Sequence, residues 1–356
     1  MNPDFLKIIA ASAEDRRDLF LATANRIGTP IQNVEKDFWV VWVLDLLFNG
    51  RTREEPRLLF KGGTSLSKAY GLISRFSEDI DITVFREDLG QPLEASDLDA
   101  LSGKKQKARL EEIKSACQHY IQGPLIQRLN QQMTEIFSSA GQTIKEPPVI
   151  VDSNDQDQQT LLVRFPAVSN EVNAYLRPSV KIEAGAKSAL DPHQKVAIRP
   201  YVAQDFATAN LEVDEVFTIH AERTFWDKVV ILHGFRRWHD KRGALRQQGH
   251  RISRHYYDIY KLFESPVGRS ALADRSLGHD CVHHASMFFN SNDLDLASAL
   301  NGNFSIYPTE QMVFELSRDF DAMKTMIFEK TPDFREVLDS IYRLEEAINK
   351  LNQTSQ

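Results

Sequence analysis

Two aspartates, Asp79 and Asp81, stand two apart in the stretch Ser77-Glu78-Asp79-Ile80-Asp81-Ile82-Thr83. A glycine pair stands upstream in Phe60-Lys61-Gly62-Gly63-Thr64-Ser65-Leu66-Ser67-Lys68. In an extended chain, residues two apart share a face, so Asp79, Asp81 and Thr83 point one way and Ile80, Ile82 and Val84 the other. Aspartate is disfavoured in strands, and neighbouring carboxylates repel. A divalent cation between them removes the repulsion. Mg²⁺ suits the position because it takes hard oxygen ligands and keeps places for waters and substrate phosphates.

The glycines permit backbone angles that other residues resist. The upstream stretch predicts a strand over Arg57 to Phe60, a glycine turn, and a helix capped by Thr64 or Ser65 that runs to about Ile73. The first N–H groups of such a helix are unpaired and attract phosphate. Lys61, Gly62, Gly63, Thr64, Ser65 and Lys68 are therefore the candidate nucleotide-binding set. A phosphate cradle beside an Asp-x-Asp clamp is equipment for phosphoryl or nucleotidyl transfer from an NTP.

Gly-Gly-Thr/Ser, a helix and an Asp-hydrophobic-Asp strand together resemble the signature of the nucleotidyltransferase superfamily, the polymerase-beta-like fold. More narrowly, Phe60 to Tyr70 with Arg75-Phe76-Ser77-Glu78-Asp79-Ile80-Asp81 resembles the AbiEii/AbiGii toxin family. The resemblance implies an α/β fold, with a small mixed sheet, N-terminal helices against it and a helical C-terminal domain completing the cleft. It divides the chain into a core over 1–210 and a helical domain over 211–356.

The resemblance also implies a third carboxylate on a later strand. Glu183 in Val180-Lys181-Ile182-Glu183-Ala184 is the candidate metal ligand beside Asp79 and Asp81; otherwise it is a surface partner of Lys181. A lysine on a later helix is an active-site residue in the resembled family, and Lys228 fits that motif. Its other reading is an ammonium that snorkels to water from among apolar neighbours. Asp258 matches the last acidic position of a family phrase, usually Arg-Asp-x-x-Asp, in which His255 here replaces the first aspartate. Asp258 would take a proton, orient Lys228, or pair with Arg254 one turn earlier. Glu35-Lys36-Asp37-Phe38-Trp39 resembles the family's N-terminal helix, and alternatively reads as a solvated polar turn on a buried helix.

By the same resemblance the acceptor is RNA, with the tRNA 3′ end foremost. Modifying it would block translation, which suits a toxin of a toxin–antitoxin or phage-defence system with a separate antitoxin. A second reading is transfer to a protein or small-molecule hydroxyl. A third is an inactive nucleotide-binding relative.

The elements that must position these residues follow from periodicity. Residues 14–27 and 31–48 predict helices, the second closed by Asn49-Gly50. Lys104 to about Ala140 predicts one or two helices with a break at Gly123-Pro124. Thr160 to Phe165 and Val180 to Ala184 predict strands, with a short one near Lys195 to Ile198. From Thr218 the pattern is helical. Residues 236–255 predict a mobile basic loop around Gly243 and Gly249, in which Arg236, Arg237, Lys241, Arg242, Arg246, Arg251 and Arg254 face only Asp240. Such a run is what a phosphate backbone requires of a protein. His279 and His283 lie one helical turn apart without a second ligand pair, which predicts a structural helix.

The composition bounds these readings. The chain has 356 residues, 42% of them apolar, and a net charge of −7. That is enough for a substantial core and argues against a uniformly basic nucleic-acid binder, while leaving room for a local basic patch. No apolar run suggests a membrane span and no leader-like start is seen. Two cysteines, Cys117 and Cys281, fit a reducing cytoplasm rather than a disulfide framework.

Overall fold

The computed structural model describes residues 1–142, 146–169, 178–206, 208–246 and 251–353. In chain order the elements are α1 (Phe5–Ile9), α2 (Ala13–Ile27), α3 (Ile31–Phe48), β1 (Leu58–Lys61), α4 (Gly62–Lys68), β2 (Asp79–Val84), α5 (Ala95–Asp99), α6 (Gly103–Tyr120), α7 (Ile126–Ser139), β3 (Val149–Val151), β4 (Thr160–Arg164), β5 (Ser179–Gly185), β6 (His193–Ile198) and β7 (Val213–Ile219). There follow α8 (Ala221–Arg242), α9 (Ser253–Phe263), α10 (Pro266–Ala273), α11 (Arg275–Phe288), α12 (Leu296–Leu300), α13 (Glu310–Met323) and α14 (Phe334–Gln353). The fold class is mixed α/β, as expected.

Two compact units emerge. The first comprises Met1–Tyr70, Phe76–Leu93 and Lys107–Ile219; the second comprises Gly71–Arg75, Glu94–Gln106 and His220–Gln356.

The first unit is built on one seven-stranded sheet of order β3-β4-β5-β2-β1-β7-β6. β2 is central: it pairs antiparallel with β1 and parallel with β5. Its alternation holds, with Ile80 and Ile82 fully buried while Asp79 and Asp81 are half-exposed. α3 packs against β2, β5 and β7. An aromatic cluster anchors it, with Trp39 against Trp42 and Phe137 and stacked on Phe165 at 5.2 Å. Between α6 and α7 the predicted break at Gly123-Pro124 is a single π turn over Ile121–Leu125.

Two elements differ from expectation. The helix after the glycines starts at Gly62 itself and ends at Lys68, and neither Thr64 nor Ser65 caps it; Lys61 occupies the cap position without a side-chain bond. β7 was not legible as a strand. Glu215 takes a positive φ of 57°, and the β6–β7 register shifts between Val196 and Ile198, so the alternation of its apolar residues is broken.

The second unit is helical. α8 packs on α9, α10, α11 and α12, and α9 on α13 and α14. The first part of the basic stretch is helix rather than the loop its glycines suggested. Arg236 to Arg242 are the last turns of α8, and Gly243, with φ 65°, is its left-handed C-cap. Residues 247–250 of that stretch, Gly249 and His250 among them, lie outside the described residues. No helix among the described residues is long and apolar enough to cross a membrane.

Candidate active site

Asp81 on β2 has Lys61 of β1 on one side and Glu183 of β5 on the other as register partners, and Glu183 in turn opposes Thr160 of β4. Asp79 opposes Lys181. Cross-strand partners share a face, so the polar side chains gather on one side of the sheet. Ile80, Ile82, Phe60, Val180 and Ile182 alternate to the other.

The glycine turn meets this face closely. Gly62 has φ 79°, and a β-carbon added there would fall 2.0 Å from Asp81 Oδ2. Only glycine tolerates both the angle and the approach. The two hydroxyls that follow are turned inward. Thr64 is fully buried; its Oγ1 donates to the Asp79 carbonyl and lies 2.8 Å from Ser77 Oγ. Ser65 Oγ, also buried, donates to the Gly62 carbonyl at 2.9 Å. Thr64 ties α4 to the start of β2, while the Ser65 bond stays within α4. Lys68 is likewise turned inward: its ammonium lies 2.6 Å from Asp37 Oδ1 and 3.7 Å from the Tyr201 ring centroid.

Two carboxylates two residues apart fit a Mg²⁺ that keeps water and phosphate ligands. Glu183 is the register neighbour the sequence pointed to, but its carboxylate takes the Lys181 ammonium at 2.5 Å. Among the described residues no group of three His, Cys, Asp or Glu is placed to hold a metal ion. Glu183 is thus engaged by Lys181 while standing in register with Asp81. Burial alone would lower the Lys181 ammonium; the bond and charge of Glu183, with the charge of Asp79, outweigh it and raise it.

Glu35-Lys36-Asp37 is not a solvated turn. All three residues are buried and each has a partner. Glu35 accepts from the Val168 and Ser169 amides, Lys36 meets Glu78 at 2.5 Å, and Asp37 takes Lys68 and the Tyr201 amide.

In the second unit, Asp258 is fully buried. Its partner is not Arg254. The Arg75 guanidinium grips it in two-pronged fashion, Nε to Oδ1 at 2.7 Å and Nη2 to Oδ2 at 2.8 Å, and the Lys228 ammonium lies 2.9 Å from Oδ2. Burial would raise the Asp258 carboxyl, but Arg75 and then Lys228 hold it well below the usual carboxylate range. Burial lowers the Lys228 ammonium against the pull of Asp258, with Arg75 adding to the lowering. Lys228 therefore does not snorkel freely; it is fixed by a carboxylate. His255 lies beside this cluster, and burial and then Lys228 push its imidazole well below its ordinary value. Among the described residues its Nδ1 has no hydrogen-bond partner.

Besides Asp240, the basic stretch meets anions the local sequence did not show. Arg236 and Arg237 reach Asp240, Arg237 also reaches Asp295 at 3.3 Å, and Arg242 meets Asp293 at 2.7 Å. Lys241 donates to the Asn292 carbonyl, and Arg242 and Arg246 lie over the Trp238 ring at 5.5 and 4.9 Å. The Arg251 amide donates to Asp319 at 2.7 Å. Arg246 and Arg251 are exposed and Arg254 is half-buried. His283 bonds Asp99 at 2.7 Å, in keeping with a structural helix around His279.

Sequence reasoning quoted Arg75 as part of a motif and missed it as the partner of Asp258. A charged residue between the apolar Ile73 and Phe76 was the available signal.

The family model described as nucleotidyl transferase AbiEii toxin, type IV toxin–antitoxin system, matches residues 45–340. The chain belongs to this family. It is a nucleotidyltransferase toxin, and a type IV system implies a cognate antitoxin and an NTP substrate. No curated protein matches the chain. A solved structure, MenT4, a nucleotidyltransferase toxin from Mycobacterium tuberculosis H37Rv, is similar over 93% of this chain and 98% of that one, at 15% identity and a TM-score of 0.41. A likeness of that degree carries no inference about the site.

Proposed function

We propose that this nucleotidyltransferase toxin transfers NMP from an NTP to an RNA hydroxyl, with the 3′ end of tRNA as acceptor, and so blocks translation. The observation that carries the reading is Gly62 pressed against the Asp81 carboxylate, with Asp79 on the same strand face. The glycine turn thereby adjoins the carboxylate pair, which supports its reading as a phosphate-approaching turn.

Asp79 and Asp81 would hold Mg²⁺, which when bound would neutralise phosphate charge and orient the α-phosphorus. The Gly62-Gly63 backbone would approach the triphosphate, with Lys61 beside it. Lys228 would offset developing negative charge. Asp258, kept ionised by Arg75, suits the orientation of Lys228 better than proton abstraction, because a carboxylate so far below its ordinary value is a weak base. The acceptor hydroxyl oxygen would attack the α-phosphorus, its proton passing to solvent, as the bond to pyrophosphate breaks and pyrophosphate leaves.

Arg246, Arg251 and Arg254, with Arg236, Arg237, Lys241 and Arg242, supply the basic surface for RNA. A cytoplasmic setting and a role in phage defence fit such a toxin. The pairing of Arg242 with Asp293 and of Arg237 with Asp295 lowers the net charge of this surface, which favours as second reading a protein or small-molecule hydroxyl.

The test is incubation with total tRNA, Mg²⁺ and each labelled NTP in turn, with Asp81→Ala beside it. Label on RNA that the variant abolishes supports the reading. Pyrophosphate release without labelled RNA would transfer it to the second acceptor class.

A further inference from the structure

Glu35, Lys36 and Asp37 are consecutive charged residues inside α3, exposed by only 2%, 5% and 4%. Successive helical residues are roughly 100° apart, so three of them cannot bury in one interface. Each takes its partner from a different segment. Glu35 holds the backbone at 168–169, Lys36 holds Glu78, and Asp37 holds Lys68 at the end of α4 and the Tyr201 amide.

Two of those segments bound the carboxylate site. Glu78 immediately precedes Asp79. Lys68 ends the helix whose first residue, Gly62, lies against Asp81. Thr64, midway along that helix, bonds the Asp79 carbonyl. α3, α4 and the start of β2 are thus joined in a closed circuit of polar ties next to the residues that carry the carboxylates.

Stability does not account for these pairs. A buried ion pair replaced by apolar residues of similar volume is often neutral or stabilising, whereas removing one partner of such a pair is strongly destabilising. Desolvation pushes the Asp37 carboxyl up against the pull of Lys68. Even so, donors at 2.6 and 2.7 Å on its two oxygens serve the ionised form.

We propose that Lys36 and Asp37 are positioning residues for nucleotidyl transfer: by holding Glu78 and Lys68, they set where Asp79 and Asp81 stand against the Gly62-Gly63 turn. This rests on the reading in which those aspartates are the reacting site's carboxylates.

The experiment compares wild type, Lys36→Met, the double variant Lys36→Met/Glu78→Leu, and Asp81→Ala. It reads the urea midpoint, Mn²⁺ affinity by paramagnetic resonance with each NTP in turn, and kcat and KM on total tRNA. The single variant is expected to lose stability, because Glu78 stays buried without that ammonium. The double variant is expected to regain the wild-type midpoint, yet to bind Mn²⁺ about tenfold more weakly and turn over about tenfold more slowly, the cost typical of removing an outer-shell partner. Recovery of midpoint, Mn²⁺ affinity and kcat together would overturn the proposal and leave the pair a structural tie. If the double variant does not fold, Asp37→Asn/Lys68→Met answers by the same readouts. If Asp81→Ala binds Mn²⁺ like wild type, or wild type binds none, the carboxylate-site reading fails instead.

Discussion

A β-carbon at position 62 would lie 2.0 Å from the Asp81 carboxylate oxygen. The first residue of α4 and the second aspartate of β2 are therefore fitted to each other, and Gly62→Ala must displace one of them. The backbone angle of 79° adds about 1–2 kcal/mol of strain for an L-residue. The expected outcome is a drop in turnover of about 100-fold, the scale of an ångström-sized misplacement, with a smaller drop in stability. Turnover and the urea midpoint check it. Wild-type turnover in Gly62→Ala would mean that this close fit has no part in the reaction.

Asp258 and Lys228 should separate by their effects on stability. Asp258 is the carboxylate that two buried cations, Arg75 and Lys228, both face. Asp258→Ala removes it from both at once, and unfolding free energy should fall by about 3–5 kcal/mol. Lys228→Met leaves the two-pronged Arg75–Asp258 pair intact and should cost far less stability, yet abolish transfer if the ammonium meets substrate charge. Lys228→Arg should not rescue it, because a planar fork does not replace a point charge. Paired denaturation and transfer assays decide. Lys228→Met with full turnover would assign the whole cluster to structure.

The carboxylate strand was legible because its alternation is local: Ile80 and Ile82 bury while Asp79 and Asp81 do not. Register also placed Glu183 beside Asp81, as the motif implied. The roles of Thr64, Ser65 and Lys68 were not legible, since a hydroxyl or ammonium next to a glycine turn reads the same whether it faces ligand or interior. Arg75 and Asp258 are 183 residues apart in sequence, so no local pattern could join them. Two anions that meet the basic stretch were hidden for the same reason: Asp293 and Asp295 reach it from far along the chain. β7 was hidden by Glu215, whose positive φ breaks the alternation on which strand recognition depends.

The low-lying Asp258 carboxyl makes a pH prediction. A depressed folded value means that the stability Asp258 contributes is present above its unfolded value, about 3.9, and is lost as pH falls through the folded value. The advantage of wild type over Asp258→Asn in urea midpoint should thus be constant from pH 7 to about 5 and shrink toward pH 3. The acid limb of kcat/KM should not report Asp258, which remains ionised there. An undiminished advantage at pH 3 would remove its carboxyl as the source, because the unfolded chain takes up the proton there however low the folded value lies.

The basic stretch carries the last prediction. Arg246 is exposed and stacks over Trp238, whereas Arg242 and Arg237 are engaged by Asp293 and Asp295. Arg246→Glu should raise KM for RNA and leave kcat unchanged, and the slope of log affinity against log salt should flatten by about 0.7 for each single-stranded phosphate no longer neutralised. Stability should stay within about 0.5 kcal/mol, as for surface changes generally. Asp293→Asn with Asp295→Asn should act in the opposite sense, because two negative charges beside Arg242 and Arg237 are removed: KM for RNA should fall and the salt slope steepen. A small-molecule acceptor has no chain of phosphates to read these charges. If neither variant changes the salt dependence of turnover, the acceptor is not a polyanion bound through this helix end.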